Sequence, residues 1–281
     1  MAVVSRPIIT LTTDFGTNSA YVAQMKGVIL TLNPEAVLVD ITHAIAPQDI
    51  RQGAVVLEEV APRFPGGTIH IVVVDPGVGT ARRLVCAEVA GHCYLAPDNG
   101  LLSRLTRSQP ASRIVALTNR EYWLPQVSHT FHGRDILAPV AAHLSLGVPP
   151  QRLGEPVEHL TTLDWPEAVV ELRRIAGIVL CVDSFGNVIS NIPAVCLPPS
   201  VPRDQLLVHC GGHEVRGVQT TYSERPAGTL LALVDSQDRL EVAISGGNAA
   251  AALRVQFGDP VVVTWHRDPQ SPDLPKPRCG P

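Results

Sequence analysis

The segment from Thr68 to Arg82 combines the pattern of a strand with residue types that could handle a ligand. It reads Thr-Ile-His-Ile-Val-Val-Val-Asp-Pro-Gly-Val-Gly-Thr-Ala-Arg, so a β-branched run ends at Asp75 and a Pro-Gly turn follows. Arg82 or Arg83 could return to pair with this carboxylate, or both could be solvated surface arginines. The segment matches neither a phosphate loop nor the Gly-x-Gly-x-x-Gly dinucleotide pattern, so we expect a ligand of another kind.

Two further carboxylates, Asp14 and Asp183, also follow apolar strand-like runs and precede a glycine within three residues. Because the carboxyl ends of strands face the ligand crevice of an open α/β sheet, we expect Asp14 and Asp75 to share one site. Asp183 would contribute from a second domain. Each of them could instead be a turn or N-cap residue, and the repetition of the pattern favours a site.

A histidine beside a glycine occurs in the segment Phe131-His132-Gly133-Arg134-Asp135, at the predicted start of a helix. A ring nitrogen placed there can face a cleft and take part in acid–base chemistry. His129 is a competing candidate two residues away, and a structural role for either ring is the alternative.

An aromatic ring and side-chain amides follow Asp183 in the sequence Asp-Ser-Phe-Gly-Asn, which ends at Asn187. These groups could stack on a purine base and hydrogen-bond to it, or they could form an ordinary β turn. Gly246-Gly247-Asn248 is likewise a predicted turn whose backbone amides could contact a ligand.

The elements that must position these residues follow from hydrophobic periodicity. Strand-like runs at residues 8–14, 36–40 and 68–74 alternate with helical periodicity at residues 20–32 and 48–60. This βαβαβ order predicts an α/β N-terminal domain with a mainly parallel sheet.

The pattern changes from about Glu167, where short β-branched runs follow one another at close spacing without intervening helices. Such spacing predicts a smaller all-β barrel C-terminal domain. We therefore assign residues 1–165 to an α/β catalytic domain, 166–267 to the β-barrel domain and 268–281, which are rich in proline and charge, to a disordered tail.

Composition limits the class of partner. The chain of 281 residues has a net charge of −4 with no block of like charges, so we expect neither nucleic acid nor an anionic membrane surface as a partner. Its six cysteines form no Cys-x-x-Cys pair, so no metal site is expected. Without a secretion signal or an apolar run of membrane-spanning length, a cytoplasmic location is expected.

Seven segments, in this order along the chain, carry a family resemblance: Thr13–Gly16 (TDFG), Met25–Gly27 (MKG), Val74–Arg82 (VDPGVGTAR), Ala96–Leu101 (APDNGL), Thr130–Asp135 (TFHGRD), Phe185–Asn187 (FGN) and Gly246–Ala250 (GGNAA). Together they resemble the S-adenosyl-L-methionine (SAM) hydroxide adenosyltransferases, the hydrolytic relatives of the fluorinase and chlorinase. The resemblance spans about residues 7 to 266.

This resemblance implies an α/β domain followed by a β-barrel, in a homotrimer whose active sites lie between the N-domain of one subunit and the C-domain of the next. It implies hydrolysis of SAM to adenosine and L-methionine by attack of water or hydroxide at the ribose C5′. No metal or redox cofactor is implied.

The resemblance also implies roles for individual residues. The family's catalytic set falls on Asp75, Arg82 and His132, and Asp14 matches the carboxylate that binds the ribose hydroxyls. Other positions that match substrate-binding positions of the family are Phe131, Asp183, Phe185, Asn187, Tyr222, Ser236, Ile244 and Gly246. Which of Asp75 and His132 is the base stays open at this point.

Two other functions remain as alternatives. Halide-forming relatives carry tyrosine where Asp75 stands, and a carboxylate would repel a halide, so water is the preferred nucleophile. Gly133 resembles the small residue of the chlorinase halide pocket, which keeps a SAM-dependent halide transferase (5′-chloro-5′-deoxyadenosine synthase) in consideration. The other alternative is a non-catalytic sensor that binds adenosine or SAM.

Overall fold

The computed structural model describes residues 6–266, and the tail predicted at 268–281 lies outside them. The described chain divides into two units, residues 6–163 and 164–266, each with its own sheet. Within the described residues, every helix is too short or too polar to cross a bilayer.

The first unit consists of a sheet and the helices that cover it. Its strands are β1 (Ile8–Thr13), β2 (Val37–Thr42), β3 (Ile69–Val73), β4 (Leu84–Val89), β5 (His92–Pro97) and β6 (Arg113–Ala116). Its α-helices are α1 (Tyr21–Leu32), α2 (Ile50–Val60), α3 (Ser103–Ser108) and α4 (Ala138–Ser145).

The sheet of this unit has the strand order β2-β1-β3-β5-β4-β6. β1 runs parallel to β2 and β3, and β3 runs parallel to β5, whereas β4 is antiparallel to both of its neighbours. A tight turn at Ala90-Gly91, with φ of 51° and 80°, joins β4 to β5 as a hairpin. The sheet is therefore mixed, and a mainly parallel arrangement is not confirmed.

Strand β3 is buried on both faces, which explains its unbroken apolar sequence. Ile71 and Val73 pack in a cluster with residues of α1 and α4, while Val72 and Val74 pack in a second cluster with residues of α2 and α3. Alternate side chains of one strand thus anchor two helical layers, and the end of this strand, where Asp75 follows, is held on both sides.

The segment before α4 differs from the single helix expected from periodicity. Residues Gly133–Leu137 form a π-helical turn, and α4 begins only at Ala138. Pro139 has no N–H to donate to the carbonyl of Asp135, and that carbonyl instead accepts a hydrogen bond of 2.9 Å from the Leu124 amide. The proline therefore accounts for the irregular start of the helix.

The second unit is mainly antiparallel. Its strands are β7 (Val169–Glu171), β8 (Arg174–Val182), β9 (Val188–Pro193), β10 (Leu207–Cys210), β11 (His213–Arg216), β12 (Val218–Gln219), β13 (Leu230–Val234), β14 (Arg239–Ile244) and β15 (Pro260–Thr264). The strand order is β11-β10-β15-β8-β9-β14-β13-β12, with β7 on β8. Because β11 also contacts β13, the sheet is nearly closed and barrel-like.

A short helix, α5 (Ala249–Leu253), is the main departure from the all-β pattern expected here. Its first turn is capped by Asn248, whose side-chain oxygen accepts from the Ala251 amide at 2.8 Å. The Gly-Gly-Asn segment is thus a turn that continues into a helix.

A histidine is buried in the core of the first unit. The His70 side chain is fully buried, its Nδ1 lies 2.8 Å from Thr10 Oγ1, and its ring stacks on Tyr94 with centroids 4.8 Å apart. Burial, followed by the neighbouring His92, lowers the pKa of His70 to about 3. The native state therefore holds this ring neutral.

His70 should make the fold sensitive to acid. Below its ordinary pKa of 6.5 the unfolded chain binds a proton that the native state excludes, so stability is lost as the pH falls from 6.5 towards the native pKa. We expect the wild type to lose about 2 kcal/mol more unfolding free energy between pH 7 and pH 5 than His70→Phe. Urea titrations at both pH values measure this, with His213→Gln, on exposed β11, as the control. If the unfolding free energies of wild type and His70→Phe change equally between pH 7 and pH 5, the lowered pKa assigned to His70 is wrong.

Candidate active site

Two parallel neighbours, β1 and β3, bring Asp14 and Asp75 to the same edge of the sheet. The strands are in register at Thr13 and Val73, and the Asp14 amide donates to the Val73 carbonyl at 3.4 Å. Asp14 comes directly after the last residue of β1, and Asp75 lies two residues beyond the end of β3. Sheet geometry alone therefore places the two acids at the same edge of the sheet.

Arg82 is the arginine that pairs with Asp75. Its Nε donates to both carboxylate oxygens at 2.9 Å, and its Nη2 donates to Asp75 Oδ2. The two side chains are only 11% and 7% exposed, so the pair is shielded from solvent. Arg83 turns away and pairs with Asp98, to which its Nε donates at 2.9 Å. This outcome selects one of the two pairings that the sequence allowed.

His132 is the histidine that joins this pair. Its Nδ1 lies 3.0 Å from Arg82 Nη2. A guanidinium group has only donors, so Nδ1 must accept this bond and the proton of the neutral ring resides on Nε2. Asp75, Arg82 and His132 thus form one contact series through the guanidinium group.

His129 contributes to this site through its backbone. Gly79 has a φ of +81°, and a Cβ placed on it would lie 2.4 Å from the His129 carbonyl oxygen. Only glycine allows this approach, because any side chain would push the two loops apart. The loop after β3 is therefore held against the segment that carries His132.

The surroundings of His132 lower its pKa. Partial burial is the largest cause, and the positive charge of Arg82 is the next. The Asp75 and Asp135 carboxylates and a hydrogen bond with the Ser128 backbone act in the opposite direction. The net effect favours the neutral imidazole near pH 7, in agreement with an Nδ1 that accepts from Arg82.

The other residues predicted in this unit have different surroundings. Asp14 Oδ2 accepts a hydrogen bond of 2.8 Å from the backbone amide of Gln48. The buried Phe131 ring meets Phe15 and Tyr21 edge to face, with centroids 5.7 and 5.0 Å away. Phe131 thus packs in an aromatic cluster that borders the turn after β1.

A polar network that the sequence reasoning missed fixes the turn carrying Asp14. His43 Nδ1 lies 2.9 Å from Thr13 Oγ1, and its Nε2 lies 3.0 Å from Asp40 Oδ1. Lys26 Nζ donates to the other oxygen of Asp40 at 2.5 Å. The His43 carbonyl also accepts from the amide of residue 16 at 2.8 Å. A histidine directly after β2, at the same sheet edge as Asp14, was the available signal.

The second unit contains a pocket of about 480 Å³. It is lined by Phe185, Asn187, Tyr222, Ile244, Gly246 and Gly247. Five of these were predicted from the sequence. Two aromatic rings, one amide and a glycine backbone give the pocket surfaces that can stack on a flat ring and hydrogen-bond to its edge.

Asp183 shapes one side of this pocket from within its own turn. Its Oδ1 accepts from the amides of Phe185 and Asn187 at 2.9 and 2.8 Å, and its Oδ2 accepts from Asn187 Nδ2 at 2.9 Å. Gly186 packs on the Asn248 side chain so closely that a Cβ would lie 2.1 Å from it. Asp183 therefore orients Asn187, whereas the predicted Ser236 lies in the exposed β13–β14 turn and does not line the pocket.

Behind the pocket wall lies a second residue that the sequence reasoning missed, Glu241. The Tyr222 hydroxyl donates to Glu241 Oε1 at 2.8 Å, and Glu241 is only 2% exposed. Burial, with the nearby Asp183 and Asp235 carboxylates, raises the pKa of Glu241 to about 7, against the opposing hydrogen bond from Tyr222. The signal in the sequence was a lone acidic residue within the apolar run of β14.

Within residues 6–266, no group of three or more His, Cys, Asp or Glu side chains converges in a way that could hold a metal ion.

The contact series predicts opposite pKa changes in two variants. Arg82→Met should raise the pKa of His132, because the neighbouring cation is lost while the Asp75 and Asp135 carboxylates remain. Asp75→Asn should lower it, because a charge that favours the imidazolium is removed. NMR titration of the His132 ring in the three proteins measures both changes. Shifts of the same sign, or none, would show that the contact is absent in solution.

Comparison with known proteins assigns this architecture to a family. The SAM hydroxide adenosyltransferase N-terminal domain model matches residues 9–154, and the C-terminal domain model of the same family matches residues 177–262. An (R)-S-adenosyl-L-methionine hydrolase from Salinispora arenicola is 40% identical over 263 residues, covering 92% of this chain and 98% of that protein. A fluorinase from Nocardia brasiliensis is more distant, at 29% identity over 216 residues, covering 66% and 71%.

A solved structure has a similar fold. An uncharacterized conserved protein from Thermotoga maritima has a TM-score of 0.86 and 38% sequence identity to this chain, covering 91% of it and 99% of its own length. Both family-model matches fall within the two structural units, one in each. The chain therefore belongs to the SAM hydroxide adenosyltransferase family.

Proposed function

We propose that this protein hydrolyses (R)-S-adenosyl-L-methionine to adenosine and L-methionine, with water or hydroxide attacking the ribose C5′. The observation that carries the proposal is the buried contact of Arg82 with both Asp75 and His132. Relatives that share 40% identity over nearly the whole chain bear the name of this activity.

The reaction needs few groups because the leaving group is favourable. Methionine departs from a sulfonium as a neutral thioether, so no general acid is required. The enzyme must instead hold a water molecule in line with the C5′–S bond and favour its hydroxide-like form. Hydrogen-bond donors and acceptors fixed before the substrate arrives can supply this.

We assign the acceptance of the water proton to Asp75. The Nδ1 lone pair of His132 already accepts from Arg82, and the neutral ring carries its proton on Nε2, so this imidazole is a donor. Arg82 stabilises negative charge on the attacking oxygen, and His132, which accepts a hydrogen bond from Arg82, holds the guanidinium group in position. Asp75 is thus our proposed base of the two that the sequence left open.

The remaining predicted residues are proposed to bind the substrate. Asp14 would accept hydrogen bonds from the ribose hydroxyls. In the second unit, Phe185 and Tyr222 would face the adenine ring, and Asn187 would bind a polar edge. The other proposed substrate contacts are Phe131, Asp183, Ile244 and Gly246, together with Ser236, whose contact would lie outside the 480 Å³ pocket.

The proposal extends to assembly and location. Following the family resemblance, the protein would be a cytoplasmic homotrimer in which the N-domain of one subunit and the C-domain of the next form each active site. No cofactor other than the substrate itself would be needed.

A halide transferase is the second candidate, and the fluorinase relative motivates it. Asp75 opposes this function, because a carboxylate beside an attacking halide would repel it. Hydrolysis is therefore the better fit to these residues.

The first test is product analysis. Purified protein incubated with each SAM epimer in H₂¹⁸O should give equimolar adenosine and methionine from the (R) epimer, with the label in the adenosine 5′-hydroxyl. Adding chloride should yield no 5′-chloro-5′-deoxyadenosine. Absence of adenosine from both epimers would refute the hydrolase, and a chloronucleoside as the main product would establish the alternative.

The second test concerns the catalytic residues. Asp75→Asn should lower kcat by about 10² to 10⁴-fold and His132→Ala by about 10 to 10³-fold, with KM nearly unchanged, since Asp75 and the guanidinium group that His132 holds act on the attacking water. His129→Ala is the matched control, because its exposed ring lies outside the contact series. Unchanged kcat in Asp75→Asn or His132→Ala would remove that residue from the mechanism.

A further inference from the structure

Glu241 is an unusual residue at its position in the second unit. It occupies the middle of β14, opposite Leu233 of β13 and Ile189 of β9, and is 2% exposed. A buried carboxyl group costs free energy unless it is compensated by hydrogen bonds, and an apolar residue would satisfy the packing of this strand. Its presence therefore calls for a function other than core packing.

The hydrogen bond that the structure gives the Glu241 side chain comes from Tyr222, at 2.8 Å. Tyr222 lies in a short turn, Tyr222–Glu224, within the exposed stretch 221–228, and 42% of this residue is exposed. Other hydrogen bonds of this stretch hold its backbone: the Glu224 amide donates to the Thr221 carbonyl at 3.3 Å, and the Gly228 amide donates to the Ser245 carbonyl at 2.7 Å. The bond to Glu241 therefore ties the tyrosine ring to the sheet.

The position of this ring matters because it forms a wall of the pocket together with Phe185 and Asn187. An exposed tyrosine on a short turn has rotamer freedom, and stacking on a ligand would require that freedom to be lost on binding. A ring already fixed in place binds with a smaller entropic cost.

We propose that Glu241 is a positioning residue that holds the Tyr222 ring at the pocket wall and thereby sets the affinity for the adenosine part of the substrate. The inference rests on the proposed function for the identity of this ligand. Glu241 acts through Tyr222 and makes no direct contact with the reacting atoms in this scheme.

The charges around Glu241 make its effect dependent on pH. Besides Tyr222, the ionisable groups that act on it are Asp183 and Asp235, both acidic, while its strand neighbours are apolar. The carboxylate accepts a stronger hydrogen bond from the tyrosine than the protonated acid does. Affinity should therefore increase as the pH rises through the pKa of about 7.

A double-mutant cycle separates positioning from a general structural role. Tyr222→Phe removes the donor, Glu241→Leu removes the acceptor, and Glu241→Gln keeps a neutral acceptor of the same shape. We expect the first two to raise the adenosine Kd and the KM for SAM by about fivefold to tenfold, with kcat within threefold. The adenosine Kd of the double variant Tyr222→Phe/Glu241→Leu should be no higher than the larger Kd of the two single variants, because the two substitutions disrupt the same contact.

The conservative variant provides the second readout. Glu241→Gln should bind adenosine with an affinity between those of wild type and Glu241→Leu, and the rise in affinity between pH 6 and pH 8 should disappear. Glu214→Gln, on the exposed β11 strand, is the control and should retain the wild-type pH profile. Melting temperatures identify any variant that fails to fold. If Glu241→Leu or Tyr222→Phe fails to fold, the test is made with Glu241→Gln.

Calorimetry with adenosine makes the result independent of turnover. Wild type that binds adenosine and shows the non-additive cycle, yet releases no adenosine from SAM, would refute the hydrolase and leave the positioning role intact. Additive effects in the cycle, a fall in kcat without a change in KM, an unaltered pH profile in Glu241→Gln, or no adenosine binding by wild type would each overturn the positioning role.

Discussion

The arrangement of the first unit depends on one guanidinium group. Arg82 donates to both oxygens of Asp75 and to His132, so a single rigid fork fixes the separation and orientation of two other side chains. A lysine could not make these bonds together, since its ammonium is a point donor on a flexible stem. Because Arg82 and Asp75 are shielded from water, their attraction is screened less than at a surface.

The fold supplies the constraints that this group requires. Strand β3 is packed on both faces, which fixes the backbone that presents Asp75. In the loop after β3, Gly79 allows close contact with the His129 backbone, which keeps the segment that carries His132 against this loop. The group formed by Asp75, Arg82 and His132 is therefore positioned by sheet packing and by one close backbone contact.

Much of this could be predicted from the sequence, and the failures have physical reasons. An acid after an apolar run, as at Asp75, is visible because strand ends are predictable from local pattern. Sheet order depends on pairing between distant segments, so the pairing of β4 with β6 was not predicted. Glu241 and His43 were overlooked because the role of a polar residue in or just after an apolar run depends on its hydrogen-bond partner. Those partners are distant in the sequence and are identified only by the structure. Similarly, Pro139 marked an irregular helix start, but only the Leu124 amide shows where the freed carbonyl is satisfied.

The turn around Asp183 has a consequence for the thermodynamics of ligand entry. Its carboxylate accepts three hydrogen bonds from Phe185 and Asn187, so the loop is closed on itself before any ligand arrives. This side of the pocket is therefore ordered before a ligand binds. The ligand would displace solvent from the apolar rings of the pocket, and no loop would have to become ordered on binding. Such association is expected to show a negative heat capacity change from buried apolar area, with little of the entropy loss that accompanies coupled folding.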